Sequence, residues 1–384
     1  MAEQTMVCVA GAGPAGLAAA KRIQERGWQT IVIEEHPKIG EPVACTGLIS
    51  ASGVSELGIR KEVEDTLVNK IRGARIFSPG QEMLEVKKSE TVAYVINRGE
   101  FDRALASRAI ASGVKIKTET KLIDIRNETV FVEHKGRGEL LKTKVLVGAD
   151  GVNSKTRKII GINTDIKNYV HAYQVVAKGN FDKNYVQVFF GDYAKNYFAW
   201  VVPENEEKAR VGLASTSGNI RRDFDIFTKD KNISGEFCDM CSKLIPCGEP
   251  LKKIVKDNIL LVGDAAFQTK ATTGGGIIIG MLAGNIAGDA VHKFFKDKEP
   301  LENYEKYLSE INHELILHWK IRQFINNKNE NQIDELIRRM NKANVGEFLS
   351  NYGDMDKPSK FLEKAMATPS LWRLFPEAIK FILT

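Results

Sequence analysis

Apolar and polar positions in this chain follow two periods, and the change from one to the other marks its elements. A β-branched run from Val7 to Ala10 leads into Gly11-Ala12-Gly13-Pro14-Ala15-Gly16, and then into helically spaced apolar residues from Leu17 to Arg26. A second apolar run, Thr30 to Ile33, ends at Glu34. Strand, glycines, helix, strand and acid in this order predict a dinucleotide-binding βαβ unit. The first glycine makes the tight turn, the second lets a diphosphate approach the backbone, and the third packs helix on strand. The helix start offers free N–H groups and a positive dipole end, and Glu34 suits ribose hydroxyls while repelling a 2′-phosphate.

Asn97-Arg98-Gly99-Glu100-Phe101-Asp102 opens a predicted helix reaching about Ser112. Strands are predicted at Lys115 to Thr118, Lys121 to Arg126, Thr129 to His134 and Lys144 to Val147. The last runs into Gly148-Ala149-Asp150-Gly151-Val152-Asn153-Ser154, with Arg157 three residues on. From His171 to Ala214 the pattern becomes long alternating segments: Ala172 to Lys178, Val186 to Gly191, Tyr197 to Val202 and Ala209 to Ala214. These predict an antiparallel meander. A buried strand, Asn258 to Val262, then meets Gly263-Asp264-Ala265-Ala266, and Gly274-Gly275-Gly276 opens a long helix from Ile277 to Phe295. The chain beyond Pro300 reads as helical, ending in an apolar tail from Leu371 to Leu383. That tail reads as a docked helix, with a membrane-resting amphipathic segment as the alternative.

The expected fold class is therefore α/β: a Rossmann-type domain with an inserted antiparallel β-sheet substrate domain and a C-terminal helical region. Residues 1–165 with 250–299 form the discontinuous nucleotide domain, 166–249 the inserted domain and 300–384 the helical region, with 72–96 able to pack on the insert.

The charge balance, 55 basic against 49 acidic residues, carries no basic block, so nucleic acid is not favoured. The small surplus suits an anionic small molecule or a membrane surface equally well, and nothing in particular just as well. No apolar run approaches the roughly 18 residues that span a bilayer. The N-terminus enters the first strand directly, so a cytoplasmic protein is expected, in peripheral contact with the membrane at most. Five cysteines, an odd number, argue against a disulfide framework. Cys238, Cys241 and Cys247 fall in a segment that reads as helical, where Cys238 and Cys241 share a face; without a nearby fourth ligand, buried packing is expected and no metal. Cys8 lies within the first strand and is expected in the core.

Taken in order, these segments resemble the geranylgeranyl reductase family of flavoproteins, in particular the archaeal digeranylgeranylglycerophospholipid reductases, similar in fold to p-hydroxybenzoate hydroxylase. The resemblance covers about residues 5 to 300. Its narrower marks are Pro42-Val43-Ala44-Cys45-Thr46-Gly47, similar to a cysteine loop beside the flavin ring, and Tyr197-Phe198-Ala199-Trp200-Val201-Val202-Pro203, similar to an aromatic Y-x-W-x-F-P stretch. The aromatic stretch is shifted by one residue and has Val202 for Phe; the cysteine loop is one residue shorter than C-x-x-G; Gly212-Leu213-Ala214 stands where G-x-G is expected. The resemblance implies FAD as cofactor, held by Gly11, Gly13, Ala15, Gly16, Glu34, Cys45, Thr46, Gly47, Arg98, Leu122, Asp264, Gly275, Gly276 and Ile277. It implies a prenylated lipid as substrate and reduced ferredoxin or another low-potential donor as partner.

The expected chemistry is saturation of isolated C=C bonds, a hydride from reduced flavin being coupled to a proton on the other carbon. Tyr197, Phe198, Trp200, Phe189 and Phe190 are candidates to line an apolar tunnel, Tyr197 and Trp200 foremost, with ordinary sheet core the alternative. Cys45 is the candidate catalytic residue, as proton donor or as packing against the ring. Two other readings stay open on these motifs: an aromatic-type monooxygenase using NADPH and oxygen, and a non-redox flavoprotein that binds prenyl lipid.

Overall fold

The computed structural model describes residues 3–233 and 235–368. Its central sheet has the order Val255–Lys256, Ile259–Leu261, Val145–Gly148, Val7–Ala10, Thr30–Ile33, Lys115–Lys117. Neighbours run parallel except at the edge pair formed by Val255–Lys256 and Ile259–Leu261. The strands Val7–Ala10, Thr30–Ile33 and Val145–Gly148 are buried at every position, as a parallel sheet covered on both faces requires. The helix Pro14–Glu25 starts three residues ahead of the predicted Leu17. Pro14 sits in its first turn, where a missing N–H breaks no bond and φ is already helical.

The helix Ile277–Lys296 packs on Pro14–Glu25 through a glycine ladder. A Cβ on Gly280 would lie 3.2 Å from the Ala15 Cβ, on Gly284 2.5 Å from the Ala15 carbonyl oxygen, and on Gly288 2.6 Å from the Arg22 Cβ. Arg22 and Arg26 then both bind Asp289. Contacts ascend together in the two sequences, so the helices run parallel and start side by side.

A seven-stranded sheet has the order Phe237–Pro246, Tyr169–Lys178, Lys208–Ser215, Phe198–Pro203, Tyr185–Phe189, Gly73–Phe77, Met83–Lys87. It differs from a simple antiparallel meander in two ways. Tyr169–Lys178 pairs with Lys208–Ser215 rather than with the next strand, and Tyr185–Phe189 pairs parallel with Gly73–Phe77. Tyr197 precedes the strand that the aromatic stretch forms, which starts at Phe198. The period of two divides the aromatics: Tyr197, Phe198 and Trp200 share one apolar cluster, joined by Phe190. Phe189 belongs to the other face, stacked on Phe77 at 4.8 Å and packed on Phe227 of the helix Ile220–Asp230. Phe189 is therefore core of the opposite face and no part of a shared tunnel wall.

The helical reading of the cysteine segment is also corrected. Phe237–Pro246 is an edge strand bonded to Tyr169–Lys178, with a register shift between Gln174 and Val176. Cross-strand pairing overrides the local spacing, and Cys238 is exposed while Cys241 and Cys247 are half-buried. Cys8 is fully buried in its strand.

Two smaller sheets complete the frame. Glu3–Gln4, Arg137–Lys142, Thr129–His134 and Thr120–Arg126 form one; Leu48–Ser50, Ala93–Ile96 and Leu67–Ile71 form the other, directly after the cysteine loop. The C-terminal helices begin with Asn303–Tyr307 and Ser309–Asn326; the apolar tail from Leu371 lies outside the described residues. Among the described residues no helix is long and apolar enough to cross a membrane.

The helix Ser309–Asn326 is tied to the 268–276 loop by buried polar groups. The Thr272 hydroxyl donates to His318 Nδ1 at 2.6 Å, and His318 Nε2–H donates to the Asp356 carbonyl at 3.3 Å. Asp356 also takes the Lys270 ammonium and the Ser50 hydroxyl. Burial, reinforced by the Lys270 ammonium, pushes the His318 imidazole down to about 4. The folded state thus disfavours the imidazolium, so this contribution is complete above the ordinary histidine value and disappears as pH falls toward 4. The full depression is worth about 3 kcal/mol. Denaturant unfolding between neutral and acid pH should show His318→Gln losing less stability than the parent over that window. Parallel pH profiles for the two proteins would contradict this account of the clamp.

Candidate active site

The first glycine loop is shaped by its neighbour. Gly11 has φ +105°, and a Cβ there would fall 2.3 Å from the Ala149 carbonyl oxygen; one on Gly16 would fall 2.1 Å from the Gly11 oxygen. Gly13 faces open space. Among the described residues no side chain caps the helix start at Gly13, nor the second helix start at Gly276. First-turn N–H groups at both sites are left for a ligand. At the strand end, the Ala12 N–H donates to Glu34 Oε2 at 2.9 Å and the His36 N–H to Oε1 at 3.0 Å, fixing the carboxylate at the mouth. Leu122 sits in the core with Ile31 and Ile33, behind the Glu34 strand, and the Thr120 N–H holds its strand to the Glu34 carbonyl at 2.7 Å. Open space at Gly13, two uncapped helix starts and a fixed carboxylate fit the diphosphate, ring and ribose of FAD.

The Gly148 to Arg157 segment has an inward role. Asp150 accepts from the Ser154 hydroxyl and from the Thr156 N–H and hydroxyl. Arg157, 3% exposed, donates to the carbonyls of Ala265 and Val152 and to the Tyr169 hydroxyl. This ties the Gly263–Ala266 turn to the first glycine loop, since Ala149 already touches Gly11.

Residues of the seven-stranded sheet hold the cysteine loop. Arg210 Nη1 donates to the carbonyls of Thr46 at 2.6 Å and Ile96 at 3.0 Å, while its Nε binds Glu204 at 2.7 Å. Gly47 has φ +68°, and a Cβ there would fall 2.5 Å from both Arg210 Nη1 and the Ile96 oxygen, so the position requires glycine. The Thr46 hydroxyl and the Trp200 indole N–H both donate to Gln174 Oε1, at 2.9 and 3.1 Å. Trp200 thereby reaches the loop through Gln174.

Cys45, Arg98 and Asp264 come together at this loop. Arg98 binds Asp102 with two hydrogen bonds, at 3.0 and 2.8 Å, and also faces Cys45. The Gly47 N–H donates to Cys45 Sγ at 3.3 Å, and Lys243 reaches Asp264 at 3.2 Å. Burial works to raise the Cys45 thiol, but Arg98, the Gly47 N–H and Lys243 together hold it below the usual thiol range. Attraction to Asp264 outweighs burial and raises the Lys243 ammonium.

The second glycine turn closes the site. A Cβ on Gly276 would fall 2.9 Å from Asp264 Oδ1, one on Gly275 2.9 Å from Lys270 Cε, and one on Gly274, at φ +72°, 2.8 Å from the Tyr197 hydroxyl oxygen. Ile277 then opens the long helix. Tyr197 is 3% exposed and stacks on Phe198 at 4.4 Å, its hydroxyl without a partner among the described residues.

Sequence reasoning did not find Lys243, Gln174, Arg210 or Asp102. Asp102 had a readable signal in its i, i+4 spacing from Arg98. The other three lie on strands whose pairing brings them to the loop from more than a hundred residues away. Alkylation of Cys45 by iodoacetamide, followed by peptide mass spectrometry against pH, should reach half-maximal rate below the usual thiol range. Arg98→Gln and Lys243→Met should each move that midpoint upward. A profile unchanged in both variants would contradict the electrostatic account of this thiol.

The family described as "FAD binding domain" matches residues 4–283. A digeranylgeranylglycerophospholipid reductase of Methanosarcina acetivorans is 34% identical over 309 residues, 75% of each chain. One of Methanocaldococcus jannaschii is 30% identical over 395 residues, covering 97% of this chain and 98% of its own length. Among solved structures, a geranylgeranyl bacteriochlorophyll reductase-like protein of Thermoplasma acidophilum superposes with a TM-score of 0.86 at 22% identity, covering 99% of this chain and 98% of that one. With the paired glycine turns and the cysteine loop in place, these matches establish that the chain belongs to the FAD-binding flavoprotein family that includes the archaeal digeranylgeranylglycerophospholipid reductases.

Proposed function

We propose that this chain is an FAD-dependent reductase that saturates C=C bonds of geranylgeranyl chains in archaeal membrane-lipid precursors. The observation that carries this reading is the two-sided setting of the cysteine loop. On one side stand Arg98 and Lys243; on the other, Leu48 follows Gly47 into the apolar cluster of Val170, Val186, Tyr197, Phe198 and Trp200. A long hydrocarbon fits such a wall, and its burial excludes water from the reacting carbons.

In this reading Gly11, Gly13, Ala15 and Gly16 hold the diphosphate and Glu34 the ribose, with Leu122 supporting that end. Asp264, Gly275, Gly276 and Ile277 hold the ring end, and Cys45, Thr46, Gly47 and Arg98 bound its face. Saturating one double bond breaks its π bond and forms two C–H bonds, one from a hydride and one from a proton. Reduced FAD supplies the hydride when bound. Cys45 supplies the proton, because a thiol flanked by two cations gives it up readily and leaves a thiolate they stabilise. Tyr197 and Trp200 orient the prenyl chain. A low-potential donor such as a ferredoxin restores the electrons, and the surplus of 55 basic over 49 acidic residues suits an acidic protein. Collecting an amphiphile of this kind involves peripheral contact with the membrane surface from the cytoplasmic side.

Anaerobic mixing of the dithionite-reduced protein with geranylgeranylated glycerol phosphate should give products heavier by successive pairs of hydrogens in mass spectrometry. No mass change across several prenyl head groups would contradict the substrate assignment. Cys45→Ala should slow turnover by about 10²-fold or more, the lower end of general acid catalysis. Unimpaired turnover in both Cys45→Ala and Cys45→Ser would reduce the thiol to packing.

A further inference from the structure

Cations gather around the loops that frame the site: Arg157 is held by two carbonyls and the Tyr169 hydroxyl, Arg210 is paired with Glu204, and three more have a carboxylate. Arg98 is paired with Asp102, Lys243 with Asp264 and Lys270 with Asp356. Arg322, on the helix Ser309–Asn326, has none among the described residues, although it is 2% exposed. Its Nε donates to the Ala271 carbonyl at 3.0 Å and its Nη2 to the Thr272 carbonyl at 2.8 Å, and its Nη1 has no partner among the described residues. Its guanidinium carbon lies 4.5 Å over the Tyr197 ring and 5.4 Å over Phe198. A guanidinium stays charged in proteins, and a buried charge without a counter-charge is costly unless the folded assembly supplies one.

The place where that charge acts is set by the loop it binds. Ala271 and Thr272 lie in the turn in which Gly274 N–H donates to the Lys270 carbonyl at 2.8 Å and Lys270 N–H to the Gly275 carbonyl at 3.2 Å. Tyr197, under the guanidinium, sets its hydroxyl 2.8 Å from where a Cβ on Gly274 would fall. The turn ends at the uncapped start of the twenty-residue helix Ile277–Lys296, whose dipole adds positive potential at the same point. Cys45 is served by Arg98 and Lys243, and the groups that face Arg322 are Tyr197 and Cys247. Among the described residues, the surplus charge at this turn is therefore unclaimed.

We propose that Arg322 is a positioning residue that acts through the 271–276 turn to hold reduced FAD in its anionic form and raise its two-electron potential. This rests on the reading above, in which the Gly275–Ile277 turn faces the flavin ring. The missing counter-charge of Arg322 is then the negative charge that reduction places on the ring.

The test uses the full-length protein loaded with FAD. Spectroelectrochemistry gives the two-electron potential, and a sulfite titration reads the same field, since the adduct also leaves negative charge on the ring. Arg322→Met should weaken sulfite binding by about tenfold or more, and the equivalent loss for the reduced form is a fall of about 30 mV. Arg322→Lys should keep most of both. One proton taken up with two electrons gives a slope of about 30 mV per pH unit, and two protons about 59 mV. The parent protein should hold the smaller slope from roughly pH 8 down to 5.5, and Arg322→Met should turn to the larger one at the acid end. Should Arg322→Met fail to fold, the slope of the parent remains decisive: a value near 59 mV overturns the proposal. A loss of oxidised-FAD affinity with unmoved potential and sulfite affinity would confine Arg322 to holding the turn, and also overturns it. Either result leaves prenyl reduction untouched, whereas parent protein that takes up no FAD overturns the underlying reading as well.

Discussion

The structure depends on the close, parallel packing of Pro14–Glu25 against Ile277–Lys296. Each helix carries about half a positive charge at its start, and aligned dipoles side by side repel. Gly280, Gly284 and Gly288 bring the backbones closer than any larger residue permits, and Asp289 between Arg22 and Arg26 fastens the other end. The arrangement concentrates positive potential at Gly13 and Gly276, where neither start is capped by a side chain among the described residues. A ligand with a diphosphate at one end and a ring that becomes anionic on reduction at the other relieves that repulsion twice. FAD is such a ligand, and the two glycine turns lie more than 250 residues apart because the fold must return to the first helix to build the second half of the site.

The second constraint is the seating of the cysteine loop. Its backbone is held by Arg210, its threonine by Gln174, and both come from the seven-stranded sheet. Buried polar groups of this kind specify a geometry, because each one left unpaired would be costly. The sheet therefore fixes the thiol as well as the wall of Tyr197, Phe198 and Trp200 beside it. Cationic and hydrocarbon surfaces meet at one loop, the setting that a reaction adding hydride and proton to an oily chain calls for.

What the sequence revealed follows the reach of each interaction. The first βαβ unit and the Asn97 cap depend on neighbours within a few dozen residues, and Thr30–Ile33 and the start of the long helix at Ile277 lie where their patterns placed them. Pro14 moved one helix start by a turn for a local reason that was readable in advance. The cysteine segment was misread because Cys238 and Cys241 have helical spacing, while the decisive force is a ladder to Tyr169–Lys178, some sixty residues earlier. Phe189 was misplaced because alternation tells which residues share a face but not which face meets the site. Lys243, Gln174, Arg210 and Arg322 carry no local signal at all: each becomes meaningful only when sheet pairing or helix docking delivers it to a loop. The four-residue spacing of Gly280, Gly284 and Gly288 is missing from the sequence reading, and only the packed helices show that it marks the contact on which the rest is built.

Hydrogen–deuterium exchange of the FAD-free and FAD-loaded protein tests the central claim most directly. Convergence of the two helix starts with the cysteine loop predicts that FAD slows exchange together in peptides covering residues 11–17, 45–48 and 274–280, with a single FAD affinity describing all three. Protection confined to the first of these segments, or different affinities at the two glycine turns, would contradict it.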